Sequence, residues 1–204
     1  MGIRMMTTIK RNLLLFTIAL AIIGGLIFIK QYRERQLYTL ISLIRDENAL
    51  GLRSFLKENA KLLNVRDSGG NTPLDICISG ANIRENKVYK ILLENGANPN
   101  ILTQGEVISV SPLYHACIRD NADIILINEL IKHGADVNIG CYEKGKISET
   151  PLMYVCFMGN IDLINLLLNY HADATIKNRN GFSALDFTIL SNKYKSKEEK
   201  MHII

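Results

Sequence analysis

The folded part of this chain has no surplus of basic charge, and that lack removes one large class of function. Lys and Arg total 24 against 20 Asp and Glu, yet six of the basic residues and one acid fall within residues 1–35. Residues 36–204 keep 18 basic against 19 acidic residues, a net charge of minus one. A nucleic-acid binder needs a basic stripe to displace counterions from phosphate, so no nucleic-acid partner is expected.

Catalytic patterns are missing as well. There is no G-x-S-x-G, no H-E-x-x-H and no Cys-His-Asn order. His115, His133, His171 and His202 show no metal-ligand spacing and no paired carboxylate. GCYEKGKIS, residues 140–148, approaches a phosphate-binding loop through Gly140, Gly145 and Lys146. Ile147, however, stands where a magnesium-holding hydroxyl belongs, and the segment leads into a Thr-Pro-Leu turn instead of a long helix. No enzymatic activity, cofactor, metal or small-molecule substrate is expected.

What is present begins with an apolar run. LLLFTIALAIIGGLIFI, residues 13–29, holds seventeen residues without a charge, at the short end of the roughly 17 to 25 that span a bilayer. Lys10 and Arg11 precede it, and Lys30, Arg33 and Arg35 follow where long basic side chains reach headgroups. Residues 1–12 read as a basic tail, 13–29 as a transmembrane signal anchor and 30–35 as a basic stalk. Ala19-Leu20-Ala21 also has the form of a cleavage site, but the apolar run continues for eight residues beyond it. Basic residues tie on the two sides, so orientation rests on the signal-like N-terminus. That places the tail inside and the domain outside an inner (plasma) membrane, in the periplasm, with a cytoplasmic domain as the alternative.

The rest of the chain repeats itself. LLENGANPN (92–100) returns as LIKHGADVN (130–138), and TPLDICISG (72–80) returns as SPLYHACIRDN (111–121), TPLMYVCFMGN (150–160) and SALDFTILS (183–191). Periods of about 33 to 40 residues mark a repeat architecture. In each unit Thr or Ser caps a short helix, and in three of them Pro occupies its first position, where no N–H is needed. A second apolar-striped helix follows, and Gly96 or Gly134 supplies the left-handed residue that reverses the chain. This pattern resembles the ankyrin repeat over residues 67–192, with residues 36–66 as an N-terminal capping helix pair and 193–204 as a tail or cap. The fold expected is an all-α solenoid of helix-turn-helix units with finger loops, preceded by one transmembrane helix. LYTLISLIRDENA, 37–49, has an alternative as an amphipathic helix on the membrane, but its register with LGLRSFL favours packing on the first unit.

Departures from the family pattern locate further expectations. The family's Thr-Pro-Leu-His histidine is replaced by Asp75, Tyr114, Met153 and Asp186. His171 stands where glycine is usual, at some cost in a left-handed position. Insertions lengthen one inter-helix turn (81–87) and two fingers (101–110 and 139–149). Of the four cysteines, Cys77, Cys117 and Cys156 are expected as buried spacers and Cys141 as the one thiol that meets solvent.

The resemblance implies a protein partner held by the fingers and the concave face of the inner helices. The inner-helix residues implied to face that groove are Ser79 and Gly80, Ile118 and Arg119, and Phe157 and Met158. Phe157 and Met158 either pack beneath the 139–149 finger or form a hot spot for the partner. The expected partner-binding set is Ile118, Arg119, Tyr142, Lys146, Phe157, Met158, Arg179 and Phe182. A small anchored chain of this kind resembles bacterial ankyrin-type immunity proteins, whose partners are toxins or effectors such as secreted phospholipases. A membrane-tethered scaffold or adaptor is the other reading.

Overall fold

The computed structural model describes the backbone of residues 2–80, 88–119 and 122–191, and the side chains of residues 20–80, 88–119 and 122–191. The expected insertion at 81–87 and the expected tail or cap at 193–204 lie outside the described residues. The chain divides after Thr39 into two compact units.

The first unit is helical. Helix α1 (Gly2–Arg45) begins in it and runs unbroken through the boundaries expected at residues 12, 29 and 35. No proline interrupts it, and Gly24 with Gly25 costs about 1 kcal/mol each relative to alanine, too little to stop so long a helix. LIFI, residues 26–29, places apolar side chains on every side, and all four are more than half exposed. Among the described residues no helix is long and apolar enough to cross a membrane. Residues 13–19 of the expected span lie outside those whose side chains are described.

The second unit is a stack of helix pairs. Leu40 and Ile44, one turn apart on α1, are buried with Leu52 and Leu56 of α2 (Ala49–Asn59) in the common core. The 37–49 segment thus supplies core residues to the stack. Three pairs follow: α3 (Pro73–Ser79) with α4 (Val88–Glu94), α5 (Pro112–Ile118) with α6 (Ile124–Lys132), and α7 (Pro151–Met158) with α8 (Ile161–Asn169). Helix α9 (Ala184–Leu190) opens a fourth unit. The inner helices α3, α5, α7 and α9 stack in that order, and α2, α4, α6 and α8 form the outer layer.

Local chemistry explains each start and stop. The hydroxyls of Thr72, Ser111 and Thr150 accept from the third N–H of their helices, and proline fills the first position in all three. Each outer helix then buries a leucine at one repeated place, Leu92, Leu130 and Leu167, all fully inaccessible. Gly96 and Gly134 follow at φ 95° and 89°, and His171 takes the same left-handed turn at φ 63°.

An asparagine ladder binds one unit to the next. Asn64, Asn100 and Asn138 each accept, through Oδ1, the N–H of the turn one unit later, at Asn98, Asp136 and Asp173, all at 2.8 Å. Asn100 also donates to the carbonyl of Gly134 at 2.8 Å. Asn64 lies in the capping pair, so the cap is a repeat in its hydrogen bonding even though it lacks the Thr-Pro-Leu start.

The fingers correct the all-α expectation. Strands β1 (Ile108–Val110), β2 (Cys141–Glu143) and β3 (Lys146–Glu149) form a three-stranded antiparallel sheet across two fingers. Lys144 and Gly145, at φ 49° and 75°, make the tight turn between β2 and β3. Gly140 has no room for a side chain, because a Cβ there would meet the Glu149 carbonyl oxygen at 2.1 Å. Cys141 is a second correction: it is 9% exposed and buried, because its strand is flanked by β1 on one side and β3 on the other. All four thiols are buried and free.

Candidate functional site

Two rows of side chains run along the open face of the inner helices. Counting from each cap, the fifth residues are Ile76, His115, Tyr154 and Phe187, and the eighth are Ser79, Ile118, Phe157 and Leu190. The two places lie three residues apart, so each helix presents them on one side. None of the eight is fully buried. The rows change character along the stack, from Ile76 and Ser79 in the first unit to Tyr154 and Phe157 in the third.

Phe157 is 44% exposed and meets the Phe187 ring edge-on, with centroids 6.5 Å apart. Its aromatic neighbour is therefore the next inner helix. Tyr154 meets Tyr114 edge-on at 5.9 Å, and its hydroxyl reaches the Ile118 carbonyl at 3.4 Å. Met158 is half-buried and lines an open cleft of about 690 Å³ with Arg119, Tyr154, Asn160 and Ile161.

Arg119 lines that cleft and also ties two units together. Its guanidinium donates to the carbonyls of Ile78 and, at 2.9 Å, Gly80, closing the C-terminal end of α3 from one unit away. Ile118 is half-buried and accepts from Tyr154 through its carbonyl.

The four finger residues of the expected set lie at the other end of the inner helices. Phe157 lies seven positions beyond the Thr150 cap, about 10 Å of helix. Tyr142 and Lys146 do not share a face of the sheet: the register pairs Tyr142 with Ser109 and Ile147, and Glu143 with Ile108 and Lys146. Arg179 joins the Glu143 face by an ion pair at 2.5 Å and holds the Ile147 carbonyl with its backbone N–H. That pairing holds the Glu143 carboxyl below its ordinary value. Phe182 is 42% exposed at the end of the fourth finger, its N–H bound to Asn178 Oδ1 at 3.0 Å. The expected set thus falls into two groups, one at each end of the inner helices.

The replacements for the family histidine make other bonds. Tyr114 Oη donates to Glu149 Oε2 at 2.6 Å, tying α5 to the end of β3, and burial, reinforced by this bond, pushes the phenol far above its ordinary range. Asp75 turns back on its own cap, accepting from Thr72 N–H at 2.9 Å and Thr72 Oγ1 at 2.7 Å. Burial raises its pKa and the Thr72 bonds lower it, with a net rise. Asp75 Oδ1 and His115 Nδ1 are inaccessible and lack hydrogen-bond partners among the described residues. Burial lowers the His115 pKa, against the opposing pull of Asp75.

Sequence reasoning missed Tyr154 and Phe187 as members of the open face. The signal was available: Tyr154 precedes Phe157 by three residues, and Phe187 repeats the place of Tyr154 in the next unit. Among the described residues no group of three or more His, Cys, Asp or Glu side chains is arranged to hold a metal ion.

Comparison with known proteins matches this geometry to one family. The family model for ankyrin repeats in three copies matches residues 102–178, and the single ankyrin-repeat model matches residues 69–104. A putative ankyrin repeat protein of fowlpox virus is 33% identical over 125 residues, which cover 60% of this chain and 34% of that protein. A second one is 28% identical over 166 residues, covering 81% and 35%. Mouse ankyrin repeat and SOCS box protein 11 is 33% identical over 79 residues, covering 39% and 22%. The chain therefore spans about a third of the length of the fowlpox relatives it matches.

Proposed function

We infer, from the premise that residues 69–178 belong to the ankyrin-repeat family, that this chain is a membrane-tethered protein-binding module whose partner seats on the inner-helix face of the third and fourth units. Ankyrin repeats are protein–protein interaction modules, and the observation that carries the finer reading is Phe157. An aromatic ring 44% exposed, braced edge-on by Phe187, is a pre-positioned anchor. Rigid aromatic side chains of this kind supply a disproportionate share of interface energy.

The tether rests on the first 39 residues. Helix α1 is continuous through 13–29, its apolar side chains from Leu20 to Ile29 are exposed on all sides, and the exposed Tyr32 and Tyr38 follow. We place the domain in the periplasm on the signal-like N-terminus; a cytoplasmic domain is the alternative. Alkaline phosphatase fused after Ile204 is then active, and activity of only a cytoplasmic reporter there reverses the assignment.

Two roles fit a tethered binder. An immunity protein would bind and neutralise a secreted toxin such as a phospholipase effector, and a scaffold would recruit or stabilise an envelope enzyme. The first predicts rescue of cells producing the toxin; the second predicts none. In neither role does the chain itself catalyse a reaction.

A photo-cross-linker placed at Phe157 in the full chain tests the binding face. It should trap a protein in the native cell, whereas the same group at Ile125, exposed on outer helix α6, should not. Equal trapping at both places, or none at Phe157, would overturn the reading.

A further inference from the structure

Charge is unevenly distributed along the fingers. The first two fingers carry Arg66, Asp67 and Glu106, and Arg66 donates to the Leu102 carbonyl at 2.9 Å. The third and fourth carry Glu143, Lys144, Lys146, Glu149, Lys177 and Arg179. Both acids there are engaged, Glu143 by Arg179 and Glu149 by the Tyr114 hydroxyl. Lys144, Lys146 and Lys177 are exposed and make no ion pair among the described residues, although Glu143 lies near Lys144 and Asp186 near Lys177. The positive end of the finger row therefore belongs to the same two units whose inner helices present Tyr154, Phe157 and Phe187.

We propose that the partner of this face is a protein segment that carries a large apolar side chain and, about 10 Å or more along it, carboxylates, the apolar group seated against Phe157 and the carboxylates turned toward Lys144, Lys146 and Lys177 at the other end of the inner helices. The proposal rests on the inner-helix face being the binding face and adds the partner's chemistry to it. Each element has a separate task. The aromatic strip supplies affinity through desolvation, as buried anchors do at interfaces generally. The lysines, at the exposed rim, supply orientation and association rate, and their effect is screened by salt. The first unit ends its inner helix on Ser79 and Gly80, and the first two fingers carry one basic residue, Arg66, against Asp67 and Glu106, so the aromatic strip and the lysines together favour the other end of the stack.

The test is selection of a random peptide library displayed on phage against the full chain in detergent micelles. Enriched peptides should combine an aromatic or large aliphatic residue with net negative charge. Their binding should fall about tenfold or more with Phe157→Ala. It should fall severalfold with the double variant Lys144→Glu and Lys146→Glu, and more steeply at low salt. Selection on that double variant should lose the acidic preference while keeping the apolar one. No enrichment at all on the wild-type chain would sink the binding face itself. Enrichment of neutral or basic peptides, or of acidic ones indifferent to both sets of substitutions, would leave the face standing and overturn the proposal. Stronger recovery on phosphatidylserine vesicles than on phosphatidylcholine vesicles, lost with the lysine variant and without acidic peptides, would make the fingers a lipid contact and overturn it too.

Discussion

In the first repeat the inner helix ends on Ser79 and Gly80; in the third it ends on Phe157 and Met158. Behind these ends the two repeats match. Thr72 and Thr150 cap with the same geometry, Leu74 and Leu152 are buried beside them, and Leu92 and Leu167 fill the same place on the outer helices. The layer that holds the stack together is held nearly constant, while the helix end beyond it goes from small residues, Ser79 and Gly80, to large apolar ones, Phe157 and Met158. Side chains of the first kind are constrained by packing; those of the second are free to differ, and the proposed binding face is built from them.

That contrast can be broken or sharpened by substitution. The largest effects should come from the shared layer: Leu92→Ala and Leu167→Ala each remove a fully buried side chain and should cost about 2–5 kcal/mol, read as a lower midpoint in denaturant melts. A much smaller loss at either site would show that the two repeats are not equivalent inside. Next in size is Arg119→Ala. With two backbone carbonyls of α3 losing a charged donor, a cost of about 1–2 kcal/mol is expected, and lysine, which lacks the planar fork, should restore little of it. Binding of a partner should change less than stability does. On the open face, Ser79→Ala should move stability by less than about 0.5 kcal/mol and Phe157→Ala by about 1 kcal/mol, the latter through the lost Phe187 contact.

The smallest effect is a pH dependence in the second unit. Burial lowers the folded-state pKa of His115 below its ordinary 6.5, so the unfolded chain binds the proton more readily. Stability contributed this way is intact above 6.5 and falls as pH drops from there through the lowered folded value. Asp75, raised by burial, acts in the opposite sense: its contribution is present below its ordinary 3.8 and is lost as pH rises through its folded value. Arg66 and Arg119 are the charged groups that act on this pair from nearby. Melting temperatures of wild type and His115→Asn between about pH 5 and 7 should show the wild-type decline on the acid side flattened in the variant.

The parts of this fold legible in the sequence are those set by neighbouring residues. Thr-Pro-Leu announces a capped helix, and Gly134-Ala135-Asp136 announces a left-handed turn, because cap and turn close within four residues. Features that join distant segments were not legible. The sheet pairs Val110 with Cys141 and Cys141 with Glu149, so the burial of Cys141 depends on strands in two fingers. Tyr142, Ile147 and the intervening Lys144-Gly145 turn carry a hairpin signal of their own, which the reading of 139–149 as a lengthened finger did not use. The bonds of Arg119 to the Ile78 and Gly80 carbonyls join it to residues 41 and 39 positions earlier in the chain, which repeat register does not reveal. Of the candidate face, Phe157 and Met158 were placed by repeat register as the family resemblance implies, and Tyr154 and Phe187 require the rows to be counted across units.

The separation of the packed layer from the binding face is tested most directly by Phe157→Asp. Its affinity for a peptide selected on the wild-type chain should be measured by titration calorimetry after thermal melting has shown the variant folded. The account predicts a melting temperature far closer to wild type than that of Leu167→Ala, and an affinity reduced by about 2 kcal/mol or more, roughly thirtyfold. A variant that unfolds as readily as Leu167→Ala, or one that folds and binds with unchanged affinity, would contradict it.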